Sequence, residues 1–171
     1  MKNLVFLYKM DPNVPTPRYG TSMSACFDLT FFPISPFVSG YDIYNQECAR
    51  MIVDKEVPIY PGDRLLIPTG LVMKLNEPDP NLSIRLHPRS SFALKRGLVL
   101  ANSEGIIDID YQLQIFVLLT NISEKLELLK KGERVAQGEI VYNRTAEFRI
   151  VENMPTQHSE RDGGFGSTGA S

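Results

Sequence analysis

A glycine-rich stretch near the carboxyl terminus has the residue types needed to hold an anion. Residues 163–169 read Gly-Gly-Phe-Gly-Ser-Thr-Gly, and Arg161 precedes them. Successive backbone N–H groups in such a stretch can form an anion-binding concavity, and Ser167 and Thr168 add hydroxyl donors. The ring of Phe165 offers a flat face on which a planar ligand can stack. The stretch lacks the lysine of a Walker loop, and the alternative interpretation is an ordinary flexible terminus.

A second candidate phosphate site lies at residues 88–91, Pro-Arg-Ser-Ser, between a predicted strand and a predicted helix. The free N–H groups of a helix start and the guanidinium fork of Arg89 both suit phosphate oxygens. Ser90 and Ser91 are alternatively plain helix caps. Neither Gly-x-Ser-x-Gly nor Ser-x-x-Lys surrounds them, so the pattern does not indicate a serine nucleophile.

Residues 102–111, Asn-Ser-Glu-Gly-Ile-Ile-Asp-Ile-Asp-Tyr, carry two closely spaced carboxylates. If this segment is extended, Asp108 and Asp110 point to the same side and each influences the titration of the other. A carboxylate beside a metal-neutralised phosphate is suited to act as a general base towards water. The alternative is an acidic hairpin tip in solvent. Asp28 interrupts an apolar strand, and its carboxylate either lies on a solvated face of that strand or has a function.

Composition excludes several classes of protein. A length of 171 residues with 43% hydrophobic and 22% charged residues suits one domain. Eighteen Lys and Arg against 20 Asp and Glu give a net charge of −2, which offers no electrostatic argument for a nucleic-acid or membrane partner. No apolar run approaches the ~20 residues of a membrane span. We expect a soluble, intracellular protein.

The metal-ligating residue types are scattered along the chain. His87 and His158 lack the spacing of a paired metal site, so neither is assigned to a metal. Cys26 and Cys48 are too few for a disulfide scaffold, and each is predicted to be a small core residue rather than a nucleophile.

Short apolar segments separated by turn residues predict an all-β fold. Twelve Gly and 12 Pro punctuate the chain, and several segments alternate apolar and polar residues. Many short strands at near-regular spacing are typical of a sandwich, jelly roll or barrel. The segments predicted as strands are residues 4–8, 25–32, 51–53, 64–67, 70–75, 82–87, 114–120, 134–142 and 147–151.

One helix is predicted over residues 90–96, with a serine cap at its start and Gly97 as its stop. Residues 33–47 carry Pro, Ser, Gly and Tyr and are interpreted as a surface insertion, either a long loop or a hairpin. We therefore divide the chain into a β domain, residues 1–152, and a polar arm, residues 153–171. The arm is too poor in apolar side chains to be ordered in isolation.

The candidate groups stand in the order of the five motifs of the trimeric dUTPases, and from about residue 25 to its end the chain resembles that family. The resemblance implies a β jelly roll, or distorted β-barrel, with one short helix and a mobile glycine-rich arm. It also implies a homotrimer with shared active sites at its subunit interfaces. The matching segments are residues 25–29, 88–91, 105–111, 132–137 and 163–169.

The activity that the resemblance implies is hydrolysis of dUTP to dUMP and pyrophosphate, which clears dUTP from the nucleotide pool and supplies dUMP for dTTP synthesis. Mg²⁺ would be bound mainly by the triphosphate. Asp108 matches the base that deprotonates the attacking water, and Asp28 matches a carboxylate that reaches the metal through water. No nucleic-acid or membrane partner is expected. The expected location is the cytoplasm, or the host cytoplasm for a viral protein, with the nucleus as an open alternative.

The resemblance also assigns substrate-binding residues. Phosphate oxygens would meet the second, fourth and fifth motifs, while the third motif and the arm ring would surround the uracil and deoxyribose. The residues assigned to the phosphates are Arg89, Ser90, Ser91, Gln137, Arg161, Gly166, Ser167 and Thr168. Those assigned to the uracil and deoxyribose are Asn102, Gly105, Ile106, Ile107, Tyr111, Phe116 and Phe165.

Three positions depart from the family pattern. At the position where the family pattern has an arginine in the arm, this chain has Glu160, and Arg161 follows one residue later. Where the second and third motifs usually have glycine, this chain has Ser91 and Leu113. These departures leave open a regulatory nucleotide-binding protein with weak or lost catalysis. A dCTP deaminase relative is less favoured, because residues 115–119 lack the glutamate that such an enzyme needs on this strand.

Overall fold

The computed structural model describes residues 5–75 and 81–156. In these ranges the chain forms thirteen β-strands and one short helix, joined by turns and loops. This confirms the all-β prediction with a single short helix. The elements are β1 Val5–Lys9, β2 Phe27–Thr30, β3 Phe37–Tyr41, β4 Glu47–Met51, β5 Glu56–Ile59, β6 Arg64–Pro68, β7 Leu71–Leu75, β8 Leu82–Pro88, α1 Ser90–Arg96, β9 Leu98–Leu100, β10 Gly105–Asp108, β11 Phe116–Asn121, β12 Glu127–Lys130 and β13 Arg134–Tyr142.

Two larger sheets share one hydrophobic core. Their strand orders are β10-β8-β13-β2 and β4-β3-β6-β11-β9, and two further pairs, β1-β7 and β12-β5, complete the fold. Every other residue of a strand faces inwards, as the period-two pattern predicts. Fully buried side chains from both sheets meet in the core, among them Leu29, Leu65, Ile67, Leu86 and Leu119.

The long antiparallel pair β8–β13 forms the centre of the four-stranded sheet. Its register runs from Ala136 opposite Pro88 to Tyr142 opposite Leu82. Leu86 and Gly138 are buried on the core side, whereas their strand neighbours are only half-buried. We call the opposite side of this sheet the polar face, and it carries Asp28, Arg85, His87, Gln137 and Glu139.

Residues 37–51 form the hairpin β3–β4, which lies at one end of the five-stranded sheet. The hairpin joins the sheet through β3, whose Gly40 is opposite Leu65 of β6. A Cβ atom on Gly40 would lie 2.1 Å from the carbonyl oxygen of Arg64, so only glycine allows this close pairing. The strand predicted over residues 51–53 is misplaced, because β4 covers Glu47–Met51 and ends where the predicted strand begins.

The predicted strand at residues 147–151 is wrong. The structure assigns these residues to no strand, and the side chains of Phe148 and Ile150 are almost fully exposed. An alternating sequence forms a strand only where a sheet edge is available for pairing. Residues 147–151 pair with no strand among residues 5–75 and 81–156.

Helix α1 occupies the predicted residues, but the predicted serine cap is wrong. Arg89 is the N-cap residue, in extended conformation and without a capping side-chain hydrogen bond. Gly97 ends the helix at φ 63°, the left-handed conformation that glycine adopts without strain. Buried Phe92 fixes the helix to the core. In the described ranges, no helix combines the length and apolar character needed to cross a membrane.

Candidate active site

Three charged side chains meet where β2, β13 and the junction between β8 and α1 come together. Asp28 Oδ2 accepts a hydrogen bond of 3.0 Å from Arg134 Nη1, and Asp28 Oδ1 lies 3.4 Å from Arg89 Nε. Arg89 Nη1 also donates to the carbonyl oxygen of Arg134 at 3.1 Å. We call these residues the arginine cluster. Two guanidinium groups against one carboxylate leave it a formal charge of +1, which favours an anionic ligand.

Local structure places Arg89 in this cluster. Strand β8 ends at Pro88, and Arg89 remains extended before the helix begins. Its guanidinium carbon lies 5.9 Å from the ring centroid of Phe92, one turn into the helix. The ring of Phe92 and the carboxylate of Asp28 therefore both contact Arg89, and the side chain is only 18% exposed. Ser90 and Ser91 are exposed on the first turn of the helix.

The strand register brings Gln137 to the same place. Gln137 lies opposite Asp28 of β2 on one side and opposite His87 of β8 on the other. Because side chains directly opposite each other share a face of the sheet, Gln137 and Asp28 point to the polar face together. The structure thus unites four of the predicted residues, Asp28, Arg89, Ser90 and Gln137, at one end of the sheet.

An open cleft of about 400 Å³ borders the arginine cluster. Arg18 and Arg134 line it together with Asp28 and Thr30. The oxygens Asp28 Oδ1 and Thr30 Oγ1 are buried and accept or donate no hydrogen bond among the described residues. Buried oxygens of this kind are usually satisfied by water or an ion. Arg18 and Arg134 were not predicted as site residues, because only tertiary contacts bring them beside Asp28: the Asp28 N–H donates to the Arg18 carbonyl oxygen at 3.0 Å, and Arg134 pairs with Thr30.

The predicted base, Asp108, lies at the exposed end of β10. It is opposite Ser83 of β8, and its carbonyl oxygen accepts a hydrogen bond of 3.1 Å from the N–H of Tyr111. The Tyr111 hydroxyl donates to the carbonyl oxygen of Gln114 at 2.8 Å, which fixes the ring in the loop. The chain turns directly after Asp108, so Asp108 and Asp110 do not lie on one extended strand as the sequence analysis supposed.

The other residues assigned to the base and sugar surround this hairpin. Asn102 is exposed in the turn before β10, and Ile106 is exposed on the strand. A Cβ atom on buried Gly105 would lie 3.0 Å from Leu86 Cβ, so glycine lets β10 approach β8 closely. Phe116 starts β11 with its side chain 37% exposed. We call this group, with Ile107, Asp108 and Tyr111, the β10 hairpin.

One chain does not bring the β10 hairpin and the arginine cluster together. Strands β10 and β2 are three positions apart in the sheet, or roughly 14 Å at ~4.8 Å per strand. Asp108 is level with Ser83, whereas Asp28 is level with His87, which adds roughly 13 Å along the strands. Asp108 and Asp28 are therefore roughly 20 Å apart. The arm residues Arg161, Phe165, Gly166, Ser167 and Thr168 lie outside the described residues.

The donor set of the arginine cluster fits a magnesium ion that a ligand brings with it. Mg²⁺ prefers oxygen ligands, retains several waters, and is usually held by one or two carboxylates together with substrate phosphates. Asp28 provides one such carboxylate, and its Oδ1 is the buried oxygen that accepts no hydrogen bond from the described residues. The neighbouring guanidinium groups would hold the phosphates themselves.

The family model and the curated relatives that match this chain all describe dUTPases. The dUTPase family model matches residues 31–169. The chain is 40% identical over 132 residues to a deoxyuridine 5'-triphosphate nucleotidohydrolase of Hydrogenobaculum sp. (strain Y04AAS1), covering 77% of this chain and 83% of that protein. It is 35% identical over 164 residues to the protein of that name from Escherichia coli O9:H4 (strain HS), covering 94% and 93% of the two chains.

Solved structures give the same relationship. The dUTPase of Streptococcus mutans superposes with a TM-score of 0.60 at 26% identity, covering 84% of this chain and 98% of that one. A dUTPase of Staphylococcus bacteriophage 80alpha, solved with dUpNHpp, gives a TM-score of 0.71 at 20% identity and covers 99% and 100% of the two chains. At this lower identity the second likeness shows the shared fold alone.

Proposed function

The chain belongs to the dUTPase family, and we propose that it hydrolyses dUTP to dUMP and pyrophosphate at a site built from the β10 hairpin and the arginine cluster. The observation that carries this proposal is the 35% identity to a deoxyuridine 5'-triphosphate nucleotidohydrolase across 94% of the chain. The geometry supports it, since an exposed carboxylate, an edge strand and a cationic cluster are all present.

Asp108 would act as the general base. Its backbone is held by pairing with β8 and by the N–H of Tyr111, while its carboxylate is free in solvent. The carboxylate takes a proton from water as the water oxygen forms a bond to the α-phosphorus. The bond from that phosphorus to the bridging oxygen breaks, and pyrophosphate leaves with the electron pair. Such a reaction requires positioning and charge neutralisation more than covalent help.

The arginine cluster would neutralise the triphosphate. Arg89 offers a planar fork of donors that matches phosphate oxygens, and its ion pair with Asp28 holds that fork in place before substrate arrives. Ser90 and Ser91 present hydroxyls on the adjacent exposed helix turn, and Gln137 adds an amide from β13. Binding groups already in position lose little freedom when the phosphates bind.

Bound Mg²⁺ would neutralise negative charge on the triphosphate. Asp28 would hold it through water, since this carboxylate pairs with two guanidinium groups and its buried Oδ1 accepts no hydrogen bond from the described residues. Arg89 would then keep Asp28 in one orientation while both groups face the phosphates.

The β10 hairpin would recognise the uracil and deoxyribose. Strand β10 is at the edge of the four-stranded sheet, so the N–H and C=O groups on alternate residues of 105–107, those that point away from β8, are open to a ligand. Such a row of backbone groups can pair with uracil as a partner base does. The Tyr111 ring, held through its hydroxyl, would lie against the deoxyribose and exclude a 2′-hydroxyl group. Asn102 and Phe116 border the same loop.

A complete site would require more than one copy of the chain. The roughly 20 Å between Asp108 and Asp28 exceeds what two groups on one triphosphate and its attacking water can span, so a second copy must supply one of them. We propose a homotrimer in which the β10 hairpin of one copy faces the arginine cluster of another. The arm residues Arg161, Phe165, Gly166, Ser167 and Thr168 are proposed to complete the phosphate and uracil contacts.

The alternative functions have weaker support. A regulatory protein without catalysis would not need the base, yet Asp108 is present at the open end of β10. A deaminase of the related fold would need a glutamate on the strand after the hairpin, and β11, Phe116–Asn121, carries no carboxylate.

Substrate selection tests the proposal. Pyrophosphate release from dUTP, dCTP, dTTP and UTP is measured with Mg²⁺, and dUTP is expected to exceed each of the others by about 10⁴-fold in kcat/KM. Discrimination of this order is reached by a site that hydrogen-bonds the pairing edge of the base and leaves no space for a 2′-hydroxyl group. Equal turnover of dCTP would disprove the role of the β10 hairpin in base recognition, and equal turnover of UTP would disprove that of Tyr111.

A further inference from the structure

Three metal-ligating side chains gather on the polar face close to Asp28. The donor atoms of Cys26, His87 and Glu139 all lie within 4.8 Å of one another, and the three residues are half-buried. Glu139 of β13 is opposite Arg85 of β8, which makes it a diagonal neighbour of His87, and Cys26 immediately precedes β2. The strand register therefore joins residues that are far apart in sequence, 52 positions in the case of His87 and Glu139.

The spacing of the donor atoms suits a tetrahedral ion. His87 Nε2 is 3.2 Å from Glu139 Oε2. Two ligands at roughly 2.0–2.1 Å from a tetrahedral metal are separated by roughly 3.3 Å, so these two atoms already have the required distance. The sulfur atom lies within 4.8 Å of both, so it is at most roughly 1.2 Å beyond the separation of roughly 3.6 Å expected with a Zn–S bond of roughly 2.3 Å. A change of the Cys26 side-chain torsion is a small adjustment.

A further carboxylate lies beyond the imidazole. His87 Nδ1 is 3.8 Å from Glu104 Oε1, and Glu104 Oε2 is in turn held by Arg85 Nη1 at 3.3 Å. Histidine ligands of zinc typically donate their second ring N–H to a carboxylate or carbonyl, which fixes the tautomer and the ring orientation. At 3.8 Å Glu104 is beyond hydrogen-bond distance of Nδ1, so it would have to move closer to the ring to direct His87 Nε2 towards Cys26 and Glu139.

We propose that Cys26, His87 and Glu139 bind a transition-metal dication of the zinc class, with water as the fourth ligand. One sulfur, one nitrogen and one oxygen donor suit a borderline soft ion, whereas Mg²⁺ requires oxygen ligands in octahedral geometry. This site is thus separate from the magnesium proposed beside Asp28. The bound ion would link β2, β13 and β8, the elements that also hold the arginine cluster.

Binding replaces a proton. Burial and, to a smaller extent, the Glu139 carboxylate raise the pKa of the Cys26 thiol, so the metal-free site holds a neutral thiol. The metal–sulfur bond forms as the S–H bond is lost, and that proton passes to solvent. The metal also replaces the hydrogen shared by His87 Nε2 and Glu139 Oε2, so the neutral imidazole keeps its N–H on Nδ1. The assignment differs from the prediction that Cys26 is only a small core residue and that His87 holds no metal. Sequence spacing could not reveal it, since the three residues come from β8, β13 and the turn before β2.

Cobalt(II) titration tests the site directly. The whole chain, reduced and stripped of metal by a chelator, is titrated with Co²⁺ in the presence of millimolar Mg²⁺. We expect one Co²⁺ per chain, a thiolate-to-cobalt charge-transfer band and the visible bands of tetrahedral cobalt, all removed by stoichiometric Zn²⁺. Cys26→Ser should abolish the charge-transfer band, while Glu139→Gln and Glu104→Gln should weaken Co²⁺ binding by about 10–100-fold.

The second cysteine provides the matched control. Cys48 is similarly half-buried but lies on β4, outside the cluster, so Cys48→Ser should leave the cobalt spectrum unchanged. Circular dichroism on each variant establishes that it remains folded, and His87→Ala serves if Cys26→Ser unfolds. A charge-transfer band that is absent from the wild type, persists in Cys26→Ser or is lost in Cys48→Ser would overturn the proposal.

Discussion

Replacing Asp108 by Asn is expected to lower kcat for dUTP hydrolysis by about 10²–10⁴-fold, the usual contribution of a general base. Asn has the same shape, so β10 should keep its pairing with β8, and the Tyr111 N–H should still donate to the backbone carbonyl of residue 108. Only the proton acceptor is removed. Pyrophosphate release under saturating dUTP measures the effect, and KM should change little because the carboxylate acts on water.

Asp54→Asn is the control for Asp108→Asn. Asp54 is also an exposed acid in a turn next to a strand, and its φ of 51° is one that Asn tolerates well. It lies outside both groups of the proposed site, so its replacement should leave kcat and KM unchanged. Undiminished kcat in Asp108→Asn, or an equal loss in Asp54→Asn, would show that Asp108 is not the base.

The second large effect is expected at Arg89. Replacement by Ala should lower kcat/KM by about 10²–10³-fold, because charge-stabilising donors in a preorganised site contribute on this scale. The change also leaves the mostly buried Asp28 carboxylate with one guanidinium partner fewer, which weakens the cluster that holds the phosphates. Steady-state kinetics with dUTP measures the loss.

Two further variants separate geometry from charge at this position. Arg89→Lys keeps the positive charge without the planar fork, so it should recover only part of the activity. Lys95→Ala removes an exposed cation from the last turn of the same helix and should have no effect. If Arg89→Ala behaves like Lys95→Ala, the arginine cluster does not bind the triphosphate.

Much of the fold follows from local patterns in the sequence. Strand β13 and helix α1 have the predicted residues, because alternation over Arg134–Tyr142 and a strong glycine stop at Gly97 are local signals. Strands β5, β9, β10 and β12 were missed, since segments of only three or four residues carry too little periodicity to stand out. Strand β3 lies in the segment 33–47, for which a hairpin was one of two interpretations, and β4 was predicted only at Met51. Residues 147–151 were predicted as a strand and form none, because an alternating sequence also needs a neighbouring strand to pair with.

The candidate site shows a similar division. The motifs select Asp28, Arg89 and Asp108, but only the sheet order shows that Asp28 and Arg89 form one group while Asp108 lies roughly 20 Å away. The Cys26 cluster depends on register in the same way. Contacts between side chains on neighbouring strands are set by long-range pairing, which no local sequence pattern encodes.

Mixing the two inactive variants tests the central claim, that each active site combines the β10 hairpin of one copy with the arginine cluster of another. Asp108→Asn and Arg89→Ala chains are denatured, combined in equal amounts and refolded together, and dUTP hydrolysis is compared with each variant refolded alone. Random assembly places an intact hairpin against an intact cluster in about one quarter of the sites. We therefore predict recovery of about one quarter of wild-type activity, whereas a mixture no more active than the separate variants would contradict the shared site.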